Sequence, residues 1–254
     1  LIILVKDLIN IYIPIIYTDG YSFFRKKTLN TIRKLPKVVI TSVGYQHNEA
    51  LKLIAAESIA IGGKLIISQH GGNFGLAKHN QMEAHQISIS DQFLSWGWCN
   101  NNKKIKPFIS LQLSSTKILK SSNNNKILNV MASSPRCFYS LFSLALGPEY
   151  KNYLYKQKIF IDKLNKSIGY DVYHRLNGDN YGWFAEERLK SLGLKSINYK
   201  TNLDKELSKY ALCISSYNAT VGLKTLSLNY PTLLYWPKDI FEIKLEALDD
   251  LENL

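Results

Sequence analysis

Apolar and polar positions along this chain switch between a strand-like and a helix-like rhythm. Lys37–Val43 (KVVITSV) is a short β-branched run and reads as a buried strand. Asn48–Ile61 follows with an Asn cap candidate, apolar residues at helical spacing (Leu51, Ile54, Ala55, Ile59) and Gly62-Gly63 as a stop. Lys64–Ser68 (KLIIS) is a second strand, ending at Gln69-His70-Gly71-Gly72. Strand, helix, strand in this order predicts a parallel βαβ unit. Short strands are also expected at Phe93–Trp96 and in the FISLQL run, Phe108–Leu113.

The second half repeats the logic. Strands are expected at Lys126–Met131, Asp171–Arg175, Ala211–Ser215 and Thr232–Tyr235. Helices are expected at Tyr150–Ser167, Phe184–Leu192 and Thr220–Leu228, the first of them long and amphipathic. The chain therefore reads as α/β with two Rossmann-like lobes, residues 1–102 and 126–254. The Asn/Lys/Ser-rich stretch 103–125 serves as the linker. Two such lobes fit a ligand cleft between them, and ligands of these sheets sit at the carboxyl ends of the strands.

Composition adds bounds. The 254 residues are 46% apolar and 20% charged, an ordinary globular balance with enough apolar material for a core. Lys and Arg outnumber Asp and Glu by 32 to 20, for a net charge of +12, which favours anionic partners. Cys99, Cys137 and Cys213 lie far apart without a CxxC pair. This excludes a zinc knuckle or thioredoxin-like motif and fits a reducing cytoplasm. The opening LIILVKDLINIYIPIIY carries Lys6 and Asp7 and is interrupted by Pro14, so it reads neither as a membrane span nor as a signal peptide. The chain begins at Leu1 rather than Met, as expected of a piece of a longer protein. No RNA- or DNA-binding motif occurs, so nucleic acid is not an expected partner.

Four segments carry candidate chemistry. Gln69-His70-Gly71-Gly72-Asn73-Phe74-Gly75 follows a strand directly, and its glycines permit a sharp turn or close approach to a ligand. His70 there is a candidate general base or phosphate contact, against a plain turn with a structural His. Downstream, His79, Glu83, His85 and Asp91 precede Trp96-Gly97-Trp98. His79, Glu83 and Asp91 are expected to share one side of a helical turn. Their spacing matches no metal motif, so no metal site is assigned; Glu83 or Asp91 is a candidate base, and a solvated polar face is the bland alternative.

The third segment holds Tyr173-His174-Arg175, Asp179, Tyr181-Gly182-Trp183 and Arg188. Arg175, at a strand end, either grips phosphate with its planar fork or pairs with Asp179. In the fourth, Ser215-Ser216-Tyr217-Asn218-Ala219-Thr220 runs from a strand into a helix. The helix N-terminus with Ser216, Asn218 and Thr220 reads as an anion site, with plain N-capping as the alternative. The basic run Arg25–Lys37 is most simply a solvated helix face and can also touch anionic lipid or glycan.

Taken together, the segments ITSVGYQHNEALKLIAAESIAIGGKLIISQHGGNFG, SDQFLSWGW, YHRLNGDNYGW and SSYNATVGLKTLSLNYPTLLYW resemble the transferases of surface-polysaccharide (O-antigen) loci. These are GT-B-like proteins, distantly similar to the Kdo transferases of capsule synthesis and to CDP-glycerol glycerophosphotransferases. The resemblance covers most of Lys37–Pro237. It implies a GT-B fold, with an acceptor lobe that is only partly present here and a nucleotide-sugar lobe after it. It also implies catalysis without a bound metal or cofactor. His70, Gly71 and Gly72 would line the cleft, and Arg175, Ser216, Asn218 and Thr220 would hold the donor. The chain departs from the family at Lys224, where a ribose-binding Glu is usual; an ammonium cannot accept a hydroxyl's hydrogen bond.

The expected function is a cytoplasmic glycosyltransferase, peripheral at the inner membrane surface. It would move a sugar from a nucleotide-activated donor, a CMP-linked acidic sugar being one candidate, to a glycan or lipid-linked acceptor. The alternatives are a polyol-phosphate transferase using CDP-glycerol, a non-catalytic nucleotide- or glycan-binding lobe, and a nucleotide-sugar epimerase.

Overall fold

A computed structural model describes residues 2–114, 117–138, 142–176, 179–197 and 199–252. Leu1 and the Asn177-Gly178 pair of the YHRLNGDNYGW segment lie outside the described residues. The chain divides into two compact units, residues 1–70 with 87–94 and residues 71–86 with 95–254.

The chain begins with α1 (Ile2–Tyr12), a 3-10 turn at Ile15–Tyr17, α2 (Tyr21–Leu29), β1 (Val38–Thr41), α3 (Gly44–His47), α4 (Glu49–Ala60) and β2 (Lys64–Ser68). Then come α5 (Gln81–Ile89), β3 (Gln92–Ser95) and β4 (Ile105–Pro107), and the first sheet has the order β1-β2-β3-β4. β1, β2 and β3 run parallel, Val38 facing Lys64 and Ile66 facing Gln92. The expected cap of α4 is formed: Asn48 Oδ1 accepts from the Leu51 amide at 3.0 Å, satisfying one orphan donor of the first turn. In β2, Leu65 and Ile67 are buried while their neighbours are not, the period-2 pattern of a strand with one covered face.

The second unit is built on β5 (Lys126–Val130), α6 (Glu149–Ile168), β6 (Asp171–Arg175), α7 (Ala185–Ser191), β7 (Lys195–Ile197), α8 (Leu203–Leu207), β8 (Leu212–Ser215), α9 (Thr220–Ser227), β9 (Thr232–Leu234) and α10 (Leu245–Glu252). Its five parallel strands take the order β7-β6-β5-β8-β9. The chain winds from β5 outward through β6 to β7, then returns to the other side of β5 for β8. That reversal is the topological switch point where doubly wound sheets open a crevice at their carboxyl ends. Central β5 is covered on both faces, with Ile127, Leu128 and Asn129 fully buried. Tyr150, Tyr153, Leu154 and Ile161 of α6 recur on one face and join Ile127 and Ile214 in the core. Burial of each large apolar side chain there contributes about 1.5–3 kcal/mol.

Three departures from the sequence reading have physical causes. Phe108–Leu113 is not a strand: Leu113 and Ser114 donate back to the Ser110 carbonyl in a turn, and the strand forms just upstream at β4. The expected helix at Phe184 begins one residue later, because Phe184 sits at φ +51°. α1, α3, β7, α8 and α10 were not foreseen, three of them being too short to show a period. Among the described residues, no helix is long and apolar enough to cross a membrane.

Candidate functional site

The switch point of the second unit is held by a buried relay of hydroxyls. The Ala132 amide donates to Tyr153 Oη at 2.8 Å, so that hydroxyl's own proton turns to Ser216 Oγ, 2.7 Å away. Ser216 in turn donates to the Val130 carbonyl at 2.8 Å. One tyrosine from α6 thereby ties the loop after β5 to the loop after β8. Ser216 is fully buried and its hydroxyl is committed to this relay, so it positions the loop rather than facing solvent. Tyr150 Oη to the Ala132 carbonyl (3.2 Å) and Trp183 Nε1 to the Ser134 carbonyl (3.1 Å) fix the same loop from other sides.

Above this relay lies a cavity of about 450 Å³, lined by Ser133, Arg175, Tyr199, Tyr217 and Val221 among others. Arg175 closes β6, and its Nη2 donates to the carbonyls of Tyr199 (2.8 Å) and Thr201 (2.6 Å). It does not form the expected alternative pair with Asp179. Carbonyls hold the guanidinium in place without neutralising it, and Arg175 Nη1 is buried with no hydrogen-bond partner among the described residues. The Asn218 amide is likewise buried, with neither its oxygen nor its nitrogen bonded among the described residues. Unsatisfied buried polar groups are uncommon in folded proteins and cost about 1–3 kcal/mol each. Arg175 lines the cavity and Asn218 follows its lining residue Tyr217 in the chain, an arrangement able to take an anionic, hydrogen-bonding group.

The glycine-rich stretch contributes to this unit from the other side of the sequence. The Gly72 amide donates to Thr220 Oγ1 at 3.0 Å, at the first residue of α9. A Cβ on Gly72 would stand 2.6 Å from the Thr220 nitrogen, so only glycine permits this backbone-on-backbone approach. Thr220 thus serves first as an acceptor for the glycine loop, leaving its own hydroxyl proton to donate. Gly71 neighbours this contact in a half-buried position. Gly75 adopts φ +78° and lies against the Trp98 indole.

Glu83 is buried and fully engaged. Its carboxylate accepts from the Gly75 amide at 2.7 Å and from Lys244 Nζ at 2.6 Å, and Lys244 also lies 5.6 Å from the Trp98 ring centre. Asn80 caps α5 by accepting from the Glu83 amide at 3.0 Å. These contacts make Glu83 a strut between the glycine loop and the segment before α10. His79 lies before α5, exposed and 3.8 Å from Glu242; His85 is exposed as well.

Asp91 is placed elsewhere. It is exposed in the first unit and accepts from the Leu65 amide at 2.8 Å, at the amino end of β2. His70 follows the carboxyl end of the same strand, about 16 Å further along at 3.3 Å per residue. The structure therefore does not bring Asp91 and His70 together, and Asp91 does not share a helical face with Glu83. His70 is half-buried, and burial lowers its pKa below the usual 6.5, leaving the imidazole neutral at physiological pH. His174 is wholly buried; its Nδ1 lies 3.1 Å from the Lys195 carbonyl, which only accepts, so Nδ1 carries the proton. Burial pushes its pKa down to about 4.

Lys224 pairs with Asp204 of α8 at 2.7 Å, which neutralises its charge. Among the described residues, no group of three or more His, Cys, Asp or Glu side chains converges. Cys213 is buried and its thiol is pushed up to about 12; Cys99 and Cys137 are exposed. Sequence reasoning missed Tyr153 and Lys244 and gave Tyr217 no role within the loop it stands in. Tyr153 carried only the signal of an apolar helix face, and Lys244 lies outside every motif.

The chain is similar to the crystal structure of TarM, with a TM-score of 0.49 and 12% identity over 90% of this chain and 49% of that one. It spans about half the length of the TarM chain. No curated protein matches it. The model of the LIC12162 family transferase matches residues 2–254, and the chain belongs to that family of transferases.

Proposed function

We propose that this chain is part of a GT-B-type glycosyltransferase that takes a sugar from a nucleotide-activated donor and builds surface polysaccharide on a glycan or lipid-linked acceptor. The observation that carries the reading is Arg175: a carbonyl-anchored guanidinium, unneutralised and with Nη1 unbonded among the described residues, lining a 450 Å³ cavity at the switch point. Membership in a transferase family and the parallel sheets support it. In this reading the donor's phosphate sits against Arg175 and its nucleotide against the β8–α9 loop, where Asn218 gains its missing partners and Thr220 donates.

Chemically, the acceptor hydroxyl attacks the anomeric carbon, the bond to the phosphate oxygen breaks, and the nucleotide leaves with the bonding electron pair. Arg175 stabilises the charge that develops on the leaving phosphate, so no metal is required. The acceptor's proton goes to a base, and His70, neutral at physiological pH, has the protonation state for that role. Ser216 and Glu83 position loops, and Asp91 has no part in the reaction. A CMP-linked acidic sugar is the proposed donor class.

Product analysis tests the reading. Acceptor glycan incubated with the chain and a panel of nucleotide sugars should gain a glycosyl increment joined by a glycosidic bond, with release of the nucleotide. A polyol-phosphate increment joined by a phosphodiester would indicate a CDP-glycerol-type transferase. Donor conversion without acceptor would indicate an epimerase. No turnover by the complete gene product would leave a binding lobe.

A further inference from the structure

We propose that α1, the turn after it and α2 form a docking face for an anionic lipid bilayer. Leu4, Leu8, Ile11 and Tyr12 recur at i, i+4, i+7 and i+8 on one face of α1. All four are exposed, Ile11 at 72% and Tyr12 at 76%, and Ile15 in the following turn at 68%. A helix face this apolar is normally covered. α1 has eleven residues and is about 16 Å long, half the roughly 30 Å of a bilayer's hydrocarbon core, so it can lie in the interface but not span it.

A second observation comes from α2. Phe23, Lys26 and Lys27 stand at i, i+3 and i+4, on one face, and all are exposed, Phe23 at 73%. Exposed Arg33, Lys34 and Lys37 follow. Residues 1–37 hold seven basic side chains and two acidic ones. Arg25 is neutralised by Glu57 at 2.7 Å, but no acidic side chain pairs with Lys26 or Lys27 among the described residues. That bond also fastens α2 to α4, and Lys52 Nζ donates to Tyr17 Oη at 2.9 Å, so α2 and the turn before it are held on the first unit.

The occupant must be apolar in its interior and anionic at its surface. A second copy of this chain would set like-charged lysines against each other. A bilayer containing acidic lipids meets both demands, taking the Ile, Leu and Phe side chains below the headgroups and the lysines among them. The proposal deepens the function proposed above, because a lipid-linked acceptor is presented at such a surface. It rests on α1 and α2 alone, so nucleotide binding and lipid binding succeed or fail separately.

The test is co-sedimentation of the whole chain with phosphatidylcholine vesicles, with and without phosphatidylglycerol. The chain should pellet with the phosphatidylglycerol vesicles, remain in solution with phosphatidylcholine alone, and be released by high salt. Lys26→Glu with Lys27→Glu, and separately Ile11→Ser with Phe23→Ser, should each weaken binding about tenfold or more. Both variants should retain the wild-type unfolding midpoint, since these side chains are exposed. Equal binding to both vesicle types, or none to either, would overturn the proposal. So would a concentration-dependent dimer that Ile11→Ser with Phe23→Ser dissolves, which would make the face a contact between copies.

Discussion

Gly72 and Thr220 lie 148 positions apart in sequence, yet the amide of the first donates to the hydroxyl of the second at 3.0 Å. Their backbones approach so closely that a single added carbon on Gly72 would collide with the Thr220 nitrogen. This contact places the glycine-rich loop on the first turn of α9, the element that carries the candidate anion site.

Gly72→Ala should therefore destabilise the second unit by about 1–3 kcal/mol, because backbone rather than a yielding side chain stands in the way. Thr220→Val keeps the shape and removes the acceptor, with a smaller expected loss of about 1 kcal/mol. Urea unfolding of the two variants would check the order. A wild-type midpoint for Gly72→Ala would mean that the close approach does not form.

Tyr153→Phe tests the buried relay. Removing one oxygen leaves the Ala132 amide without its acceptor and takes a donor from Ser216, both within the core. The expected loss is about 1–3 kcal/mol, measured by denaturant unfolding, together with weaker nucleotide binding as the loops after β5 and β8 loosen. Ser216→Ala should act in the same direction. An effect of Ser216→Ala on nucleotide binding with no change in stability would instead assign its hydroxyl to the ligand.

Glu83→Gln separates a strut from a base. The buried carboxylate holds both Lys244 and the Gly75 amide, so its loss should cost roughly 2 kcal/mol of stability. Thermal or urea unfolding reads this directly. Unchanged stability with abolished turnover would make Glu83 a catalytic group.

The pH dependence of stability follows from His174. Its folded-state pKa of about 4 lies below the ordinary value near 6.5, so the unfolded chain binds the proton more readily. Stability from this group is complete above pH 6.5 and is lost as pH falls from there towards 4, by about 3 kcal/mol in total. Unfolding midpoints measured across that window should drop for the wild type and drop less for His174→Asn. Equal slopes for the two proteins would contradict the assignment.

Much of the fold was legible because long elements carry strong periodicity. Lys64–Ser68 and Asp171–Arg175 form strands at the bounds expected from their sequence, and Asn48 caps its helix as its position suggested. β7 spans three residues and α8 little more than one helical turn, too few for a period of two or of 3.6 to show, and both form because neighbouring strands and helices hold them. FISLQL looked apolar enough for a strand, but turn hydrogen bonds to Ser110 compete successfully for its backbone. Arg175 and the β8–α9 loop were legible as strand-end residues. The fate of Glu83, Asp91 and Ser216 was not, because residue type does not disclose which end of a sheet a carboxylate reaches, or whether a hydroxyl faces a cavity or a buried tyrosine.

The central claim is that Arg175 holds the donor's phosphate in the cavity of the second unit, and the direct measurement is a thermal-shift panel of CMP, CDP, UMP, UDP, GDP and ADP on this chain. A nucleotide at about 100 times its dissociation constant stabilises the folded state by about 2.7 kcal/mol, a readily visible shift. The account predicts a selective response to one base, cytidine nucleotides for the proposed donor class, that is lost in Arg175→Gln. A flat panel from cooperatively folded protein, or a response that Arg175→Gln leaves intact, would contradict it.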